Sequence, residues 1–112
     1  MKRQFALIPA YKPNENLISF IQSLETRGLE VVVVNDGSGE DYLPLFHKIQ
    51  EQSLATVIHL EKNQGKGAAL KAGLSYLNTI NDDFQVITLD ADGQHSLKDA
   101  LFLLKQAMAN KD

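Results

Sequence analysis

Runs of apolar residues alternate with apolar stripes at helical spacing along the whole chain. Short apolar or β-branched runs bounded by polar or turn-forming residues predict buried strands, here at residues 5–8, 31–34, 55–60 and 86–89. Between them, apolar positions recur every three or four residues, which predicts amphipathic helices. These positions are Leu17, Ile18, Ile21 and Leu24; Leu45, Phe46 and Ile49; Leu70, Leu74 and Leu77; and, in a last helix from Ser96, Leu97, Leu101, Leu104 and Met108.

Four strands that are each followed by a helix predict an α/β domain with a mostly parallel sheet. Residues 31–34 are four consecutive valines, and such a run without alternation predicts a strand buried on both faces. Gly73 lies on the inward side of the third helix. We therefore expect that helix to approach the sheet closely.

Composition limits the classes of protein that remain. The chain has 112 residues, a net charge of −3 and no cysteine. This length predicts one domain, the charge argues against broad nucleic-acid binding, and the lack of cysteine excludes disulfides and thiol catalysis. No apolar run approaches the roughly 20 residues that a membrane span needs, and the basic start is followed by only a short apolar run that ends at Pro9. We expect a cytoplasmic protein without a signal peptide.

A segment with polar residues or residues able to contact a ligand follows each predicted strand. The four segments are Pro9-Ala10-Tyr11, residues 35–38, residues 63–67 and residues 90–94. Because the carboxyl ends of parallel strands share one edge of a sheet, we expect these segments to converge there, where α/β proteins bind ligands. Asp36 can accept hydrogen bonds from a base or ribose and Tyr11 can stack on a base. Lys66 lies near a helix amino terminus, which favours phosphate.

The last of these segments contains two carboxylates one residue apart. Asp90 and Asp92 directly follow the strand at residues 86–89, and Gln94 adds a third oxygen donor. Oxygen ligands suit Mg²⁺ or Mn²⁺, which often share them with substrate phosphates. An isolated Asp-x-Asp is more often a solvated turn, and the position at the end of a buried strand favours the metal site. We interpret His95 as a locally hydrogen-bonded loop residue.

The other candidates also have simpler interpretations. Lys66 alone would be a surface lysine at a helix start, Asp36 a turn or capping acid, and Tyr11 a half-buried packing residue. His47 and His59 are predicted to be structural. Only the expected convergence at one edge favours a shared binding site.

The segments IPAYKPNENL, VVVVNDGSGE, NQGKGAAL and ITLDADGQHS together resemble the amino-terminal half of a family 2 glycosyltransferase of the GT-A fold. The resemblance runs from about Ala6 to Ser96, and is greatest to the polyprenyl-phosphate sugar transferases, such as dolichyl-phosphate mannosyltransferase. It implies a three-layer, Rossmann-like domain with helices on both faces of a four-stranded sheet of order 3-2-1-4.

The resemblance also implies roles for individual residues. An acidic residue that the family has soon after the first-loop tyrosine is matched to Glu15, after three intervening residues. Asp92 is the predicted catalytic residue. The implied metal ligands are Asp90, Asp92 and Gln94. The implied nucleotide-sugar contacts are Pro9, Ala10, Tyr11, Glu15, Asp36, Lys66, Gly67 and Asp90.

Family members continue well past the position of residue 112, and that second half supplies the acceptor pocket. We therefore expect residues 1–112 to form one donor-binding domain that lacks the acceptor half and has little or no turnover alone. The implied donor is a UDP- or GDP-linked sugar, and the acceptor a polyprenyl phosphate or a glycan, with the full-length protein at the inner face of the membrane. The implied strand order puts residues 85–89 at an edge, and a bare edge predicts a homo-oligomer.

Two other classes remain as alternatives. One is a non-catalytic nucleotide-binding or interaction module of the same fold. The other is a dinucleotide-binding or receiver-type α/β domain. The first loop lacks G-x-G-x-x-G, which argues against a dinucleotide-binding domain. A receiver domain would have acids where this chain has Pro9 and Ala10.

Overall fold

The computed structural model describes residues 3–91 and 101–105, which form a five-stranded sheet with helices on both faces. Within these ranges, no helix combines the length and apolar character needed to cross a membrane. A single 3₁₀ turn, Glu40–Tyr42, precedes the second helix. In chain order the elements are β1 (Arg3–Ala10), α1 (Asn16–Thr26), β2 (Glu30–Asp36), α2 (Leu43–Glu51), β3 (Thr56–Leu60), α3 (Lys66–Leu77), β4 (Phe84–Thr88) and β5 (Leu101–Lys105).

Four of the strands are parallel and lie in the order β3-β2-β1-β4, as predicted. The register aligns their carboxyl ends: Ala10 of β1 lies opposite Asn35, and Asp36 at the end of β2 lies opposite Leu60. The loops that follow these strands consequently leave the sheet side by side.

The fifth strand corrects the prediction for the end of the chain. β5 pairs antiparallel with β4, with Thr88 opposite Leu101 and Phe84 opposite Lys105. The predicted helix is therefore wrong at Leu101 and Leu104; its other positions, Leu97 and Met108, lie outside the described residues. Residues 85–89 are not a bare edge either, because β5 takes up the backbone groups of β4 on that side. The homo-oligomer predicted from that edge loses its basis.

The core has two parts, one on each face of the sheet. Successive side chains of a strand point to opposite faces, and the buried residues of β1 and β2 divide accordingly between two clusters. Val31 and Val33 pack with the face covered by α1 and α2, whereas Val32 and Val34 pack with the face covered by α3. All four valines are at least 95% buried, as predicted for a central parallel strand.

Gly73 brings α3 directly against the sheet. A Cβ atom at this position would overlap the side chain of Leu7, which is completely buried in β1. The predicted close approach of the helix is confirmed, and it brings the amino terminus of α3 near the carboxyl ends of the strands.

Candidate functional site

A pocket of about 290 Å³ opens at the carboxyl ends of the parallel strands. The carboxyl ends of β1 and β2 and the segments that follow β1, β3 and β4 contribute to its wall. The lining residues are Pro9, Ala10, Tyr11, Asp36, Asn63, Gly65, Lys66 and Asp90.

The structure brings together six of the residues that were predicted to contact a nucleotide sugar. Gly67 and Glu15 do not line the pocket; Glu15 lies at the amino end of α1, and both are exposed. The predicted metal ligands Asp92 and Gln94 fall outside the described residues. Asn63 and Gly65 line the pocket but were not singled out individually, although both belong to the polar loop at residues 63–67.

A larger hollow of about 700 Å³ lies at the opposite end of the sheet, next to Glu30 and Thr56. Those residues begin β2 and β3, so this hollow faces the amino ends of the strands. Ligands of open α/β sheets bind at the carboxyl ends, and the smaller pocket is therefore the candidate site.

Asp36 organises the loop between β3 and α3. The residue is 3% exposed, and its carboxylate accepts hydrogen bonds from the Gln64 amide (2.9 Å), the Gly65 amide (3.0 Å) and the Asn63 side-chain amide (3.1 Å). A carboxylate offers about four acceptor positions, so roughly one remains on Oδ1 for a ligand donor. Asp36 therefore holds the loop that leads into Lys66 as well as facing the pocket.

Gly37 allows the loops after β2 and β3 to touch. It has a φ of +63°, and a Cβ atom there would overlap the backbone of Lys62 and Asn63. A side chain at this position would push the second loop away from Asp36.

A second set of hydrogen bonds joins the loops after β1 and β2. Asn35, 3% exposed, accepts a bond from the Ser38 amide through Oδ1 (3.0 Å), and Ser38 Oγ accepts one from the Lys12 amide (2.9 Å). The segment next to Tyr11 is thus tied to the end of β2. Neither Asn35 nor Ser38 was predicted to have this role.

His59 completes this network from the outer strand. Its Nδ1 lies 3.0 Å from Asn35 Nδ2 and accepts the amide hydrogen when the ring is neutral. Partial burial, and secondarily the charge of His47, lower the pKa of His59 from its ordinary value of 6.5. The network is therefore built for neutral His59, in agreement with the predicted structural role.

Lys66 is the first residue of α3 and reaches across the pocket to the end of β4. Its Nζ lies 2.6 Å from Asp90 Oδ1, and the two side chains are 62% and 28% exposed. The sequence predicted one charge for phosphate and the other for a metal ion, but gave no indication that they pair with each other.

Tyr11 is the exposed aromatic side chain of the pocket, with 50% of its surface accessible. The Nζ atom of Lys12 lies 5.3 Å from the centre of its ring. This half-exposed position agrees with the packing interpretation, and it also leaves part of the ring accessible for stacking.

Asp90 fits a hard divalent cation in part. Mg²⁺ and Mn²⁺ are commonly held by one or two carboxylates together with substrate phosphates, and Asp90 supplies one such carboxylate inside the pocket. Across residues 3–91, no group of three or more His, Cys, Asp or Glu side chains is placed to hold a metal ion. An ion at Asp90 would therefore need further ligands, such as phosphate oxygens.

A match over nearly the whole chain identifies its family. The model of the Glycosyl transferase family 2 matches residues 5–112, which include every strand and helix of the fold except the first two residues of β1. The chain belongs to this family.

Two curated proteins are similar in sequence to this chain. The uncharacterized protein MJ0544 of Methanocaldococcus jannaschii is 31% identical over 103 residues, which are 90% of this chain and 45% of the relative. The poly-beta-1,6-N-acetyl-D-glucosamine synthase of Staphylococcus aureus is 30% identical over 89 residues, 77% of this chain and 21% of the relative. The chain thus spans less than half the length of either protein.

Solved structures agree on the GT-A fold. A mannosyltransferase of Pyrobaculum calidifontis, in complex with GDP-Man and Mn²⁺, has a TM-score of 0.60 and 25% identity over 80% of this chain and 27% of its own. TarS of S. aureus (residues 1–349) has a TM-score of 0.59 and 25% identity, over 88% and 31%. GalNAc-T7 with UDP, GalNAc and Mn²⁺ has a TM-score of 0.65 at 20% identity over 82% and 18%, which shows the fold alone.

Proposed function

We propose that this family 2 domain binds the nucleoside-diphosphate sugar of a glycosyltransferase in the pocket at the carboxyl ends of its strands. The observation that carries the proposal is the arrangement in that pocket of an exposed aromatic ring, a lysine at a helix amino terminus and a carboxylate. The aromatic ring suits stacking on a base, the lysine suits an ion pair with a diphosphate, and the carboxylate suits a divalent cation.

The charges near α3 favour a diphosphate. The first amides of a helix lack intrahelical acceptors and carry partial positive charge. Lys66 adds a full positive charge at the same end of α3. Asp36 supports this arrangement indirectly, because its hydrogen bonds to Gln64 and Gly65 fix the turn from which the helix starts.

Asp90 would hold Mg²⁺ or Mn²⁺, with Asp92 and Gln94 as the further ligands that the sequence pattern implies. When bound, such an ion neutralises charge that develops on the departing diphosphate. The ion present in the mannosyltransferase complex supports this assignment, since that protein shares the fold at 25% identity.

For the acceptor, we propose a polyprenyl phosphate, on the basis of the four sequence segments that resemble polyprenyl-phosphate sugar transferases. A phosphate acceptor is already anionic and needs no general base, whereas a hydroxyl acceptor of a glycan would want one. The similarity to a poly-beta-1,6-N-acetyl-D-glucosamine synthase supports the glycan as the alternative.

Donor binding can be measured without the acceptor. Isothermal titration of the chain with UDP- and GDP-linked sugars, each with and without Mn²⁺, should give saturable binding of at least one donor that strengthens with Mn²⁺. Asp90→Asn should weaken the Mn²⁺-dependent part about tenfold or more, because it removes the charged oxygen ligand that a hard cation prefers, and loss of even an outer-shell partner of a ligand costs about 10–100-fold. Asp41→Asn, an exposed acid outside the pocket, should leave binding unchanged. No binding of either donor class under any condition would favour the non-catalytic interaction module.

A further inference from the structure

We propose that Lys66 acts as an internal substitute for the divalent cation, so that a diphosphate that draws this lysine away from Asp90 strengthens binding of the ion. This inference rests on the proposed function and adds an order to it: diphosphate and metal ion bind cooperatively, and Lys66 is the residue that couples them.

The contact between Lys66 and Asp90 is the first reason. The ammonium nitrogen lies 2.6 Å from Oδ1, just below the range of about 2.7–2.9 Å that is usual for a charge-assisted N–H···O bond. Both residues line the pocket, so this ion pair belongs to the pocket wall. A cation that bound the same oxygen would meet the ammonium group there.

The position of Lys66 is the second reason. A lysine in the first turn of a helix lies at the positive end of the helix dipole, where a cation is unfavourable. Asp90 offsets this charge in the ligand-free pocket. A bound diphosphate would offset it better, since it brings more negative charge to the same helix end.

The exposure of Lys66 shows that the exchange is feasible. Its side chain is 62% exposed, so it can move without opening the core. An ion pair with this exposure contributes little to stability, and we therefore expect the lysine to weaken ion binding only about two- to fivefold. A contact of this strength can be displaced by a ligand.

The test measures Mn²⁺ binding directly. The full chain is titrated with Mn²⁺ without nucleotide, and free Mn²⁺ is read from its electron paramagnetic resonance signal. We expect Lys66→Met to bind Mn²⁺ about two- to fivefold more tightly than the unaltered chain. Lys71→Met, which removes a charge from an exposed site on the same helix outside the pocket, should bind as the unaltered chain does. Asp90→Asn should lose the site in either background.

The second half of the test measures coupling. With UDP present, and after correction for Mn²⁺ held by UDP in protein-free solution, Mn²⁺ affinity of the unaltered chain should rise by a larger factor than that of Lys66→Met. By linkage, Mn²⁺ should raise UDP affinity by the same larger factor.

The outcomes separate this inference from the proposed function. If UDP and GDP both fail to bind, but Lys66→Met still binds Mn²⁺ more tightly at Asp90, the inference that Lys66 takes the place of the cation stands and the donor-binding function fails. If nucleotide binds and Lys66→Met leaves Mn²⁺ affinity unchanged or weaker, the function stands and the inference is overturned. If neither the unaltered chain nor Lys66→Met binds Mn²⁺, the inference is also overturned.

Discussion

Asp36→Asn tests whether Asp36 is mainly a ligand contact or mainly an organiser of the pocket. The change removes the negative charge and replaces one carboxylate oxygen by an amide nitrogen, with almost no change in volume. Asp36 as a whole is only 3% exposed, so solvent cannot easily replace a lost hydrogen-bond partner. Three donors currently point at it, from Asn63, Gln64 and Gly65.

The size of the effect follows from these three bonds. In the better amide orientation, the remaining oxygen accepts from Asn63 and Gly65, while the new NH₂ group faces the Gln64 amide, another donor. One hydrogen bond to a charged group is lost outright, which costs about 1.5–3 kcal/mol, and the other two lose their charge assistance. We expect a total loss of about 2–4 kcal/mol in the free energy of unfolding, a large part of the stability of a domain of this size.

Urea denaturation followed by circular dichroism measures this loss, together with a drop in melting temperature of roughly 4 °C per kcal/mol. Asp41→Asn makes the same chemical change at an exposed position of the 3₁₀ turn and should shift the free energy of unfolding by less than about 0.5 kcal/mol. If Asp36 served only to contact a ligand, Asp36→Asn would leave the free energy of unfolding nearly unchanged. Equal stability of Asp36→Asn and the unaltered chain would refute the organising role.

Three further changes test the packing and the hydrogen-bond network. Gly73→Ala should reduce the free energy of unfolding by up to about 2 kcal/mol in urea denaturation, since overlap with Leu7 outweighs the roughly 1 kcal/mol gained in helix propensity. Gly37→Ala should cost about 2 kcal/mol or more in the same assay, because strain at φ +63° adds to overlap with the next loop. The pKa of His59 is lower in the folded chain than its ordinary value of 6.5, so the unfolded chain takes up a proton first as the pH falls. The free energy of unfolding should therefore decrease as the pH drops below 6.5. His59→Gln should reduce this decrease when urea midpoints at pH 8 and pH 5.5 are compared.

Each of these has a matched comparison. Gly67→Ala, in the same helix as Gly73, meets no atom within 4 Å and should be neutral or stabilising; an equal loss at both positions would contradict the packing argument. Gly39→Ala carries backbone strain without overlap and should cost less than Gly37→Ala. For the pH effect, a stability profile that is unchanged in His59→Gln would rule out the proton uptake at this ring.

The parallel part of the fold was predictable because each of its strands and helices has a recognisable pattern in its own stretch of sequence. The valines of residues 31–34 are apolar on both faces of a strand, and only a central parallel strand can bury both. Gly73 likewise indicated the close approach of α3, and its overlap with Leu7 bears this out. The order of the four strands came from the resemblance, since local periodicity does not say which strands pair.

The last described segment was predicted wrongly, and the reason is non-local. Leu101 and Leu104 have a spacing that suits one face of a helix, but they belong to a continuous apolar run, Leu101 to Leu104, that suits a strand equally well. The outer edge of β4 offers unpaired backbone groups, and pairing with them decides the outcome for residues 101–105.

The sequence by itself determined which chemistry is present at the carboxyl ends of the strands, because a strand followed by a polar loop delivers that loop to one edge of a parallel sheet. Only the tertiary structure decided the partners. Asp36 binds loop amides 28 and 29 residues further along the chain, and Lys66 pairs with Asp90 across 24 residues. Such contacts depend on the register between strands and on how near α3 lies to the sheet, and neither is encoded in the spacing of residues within a single segment.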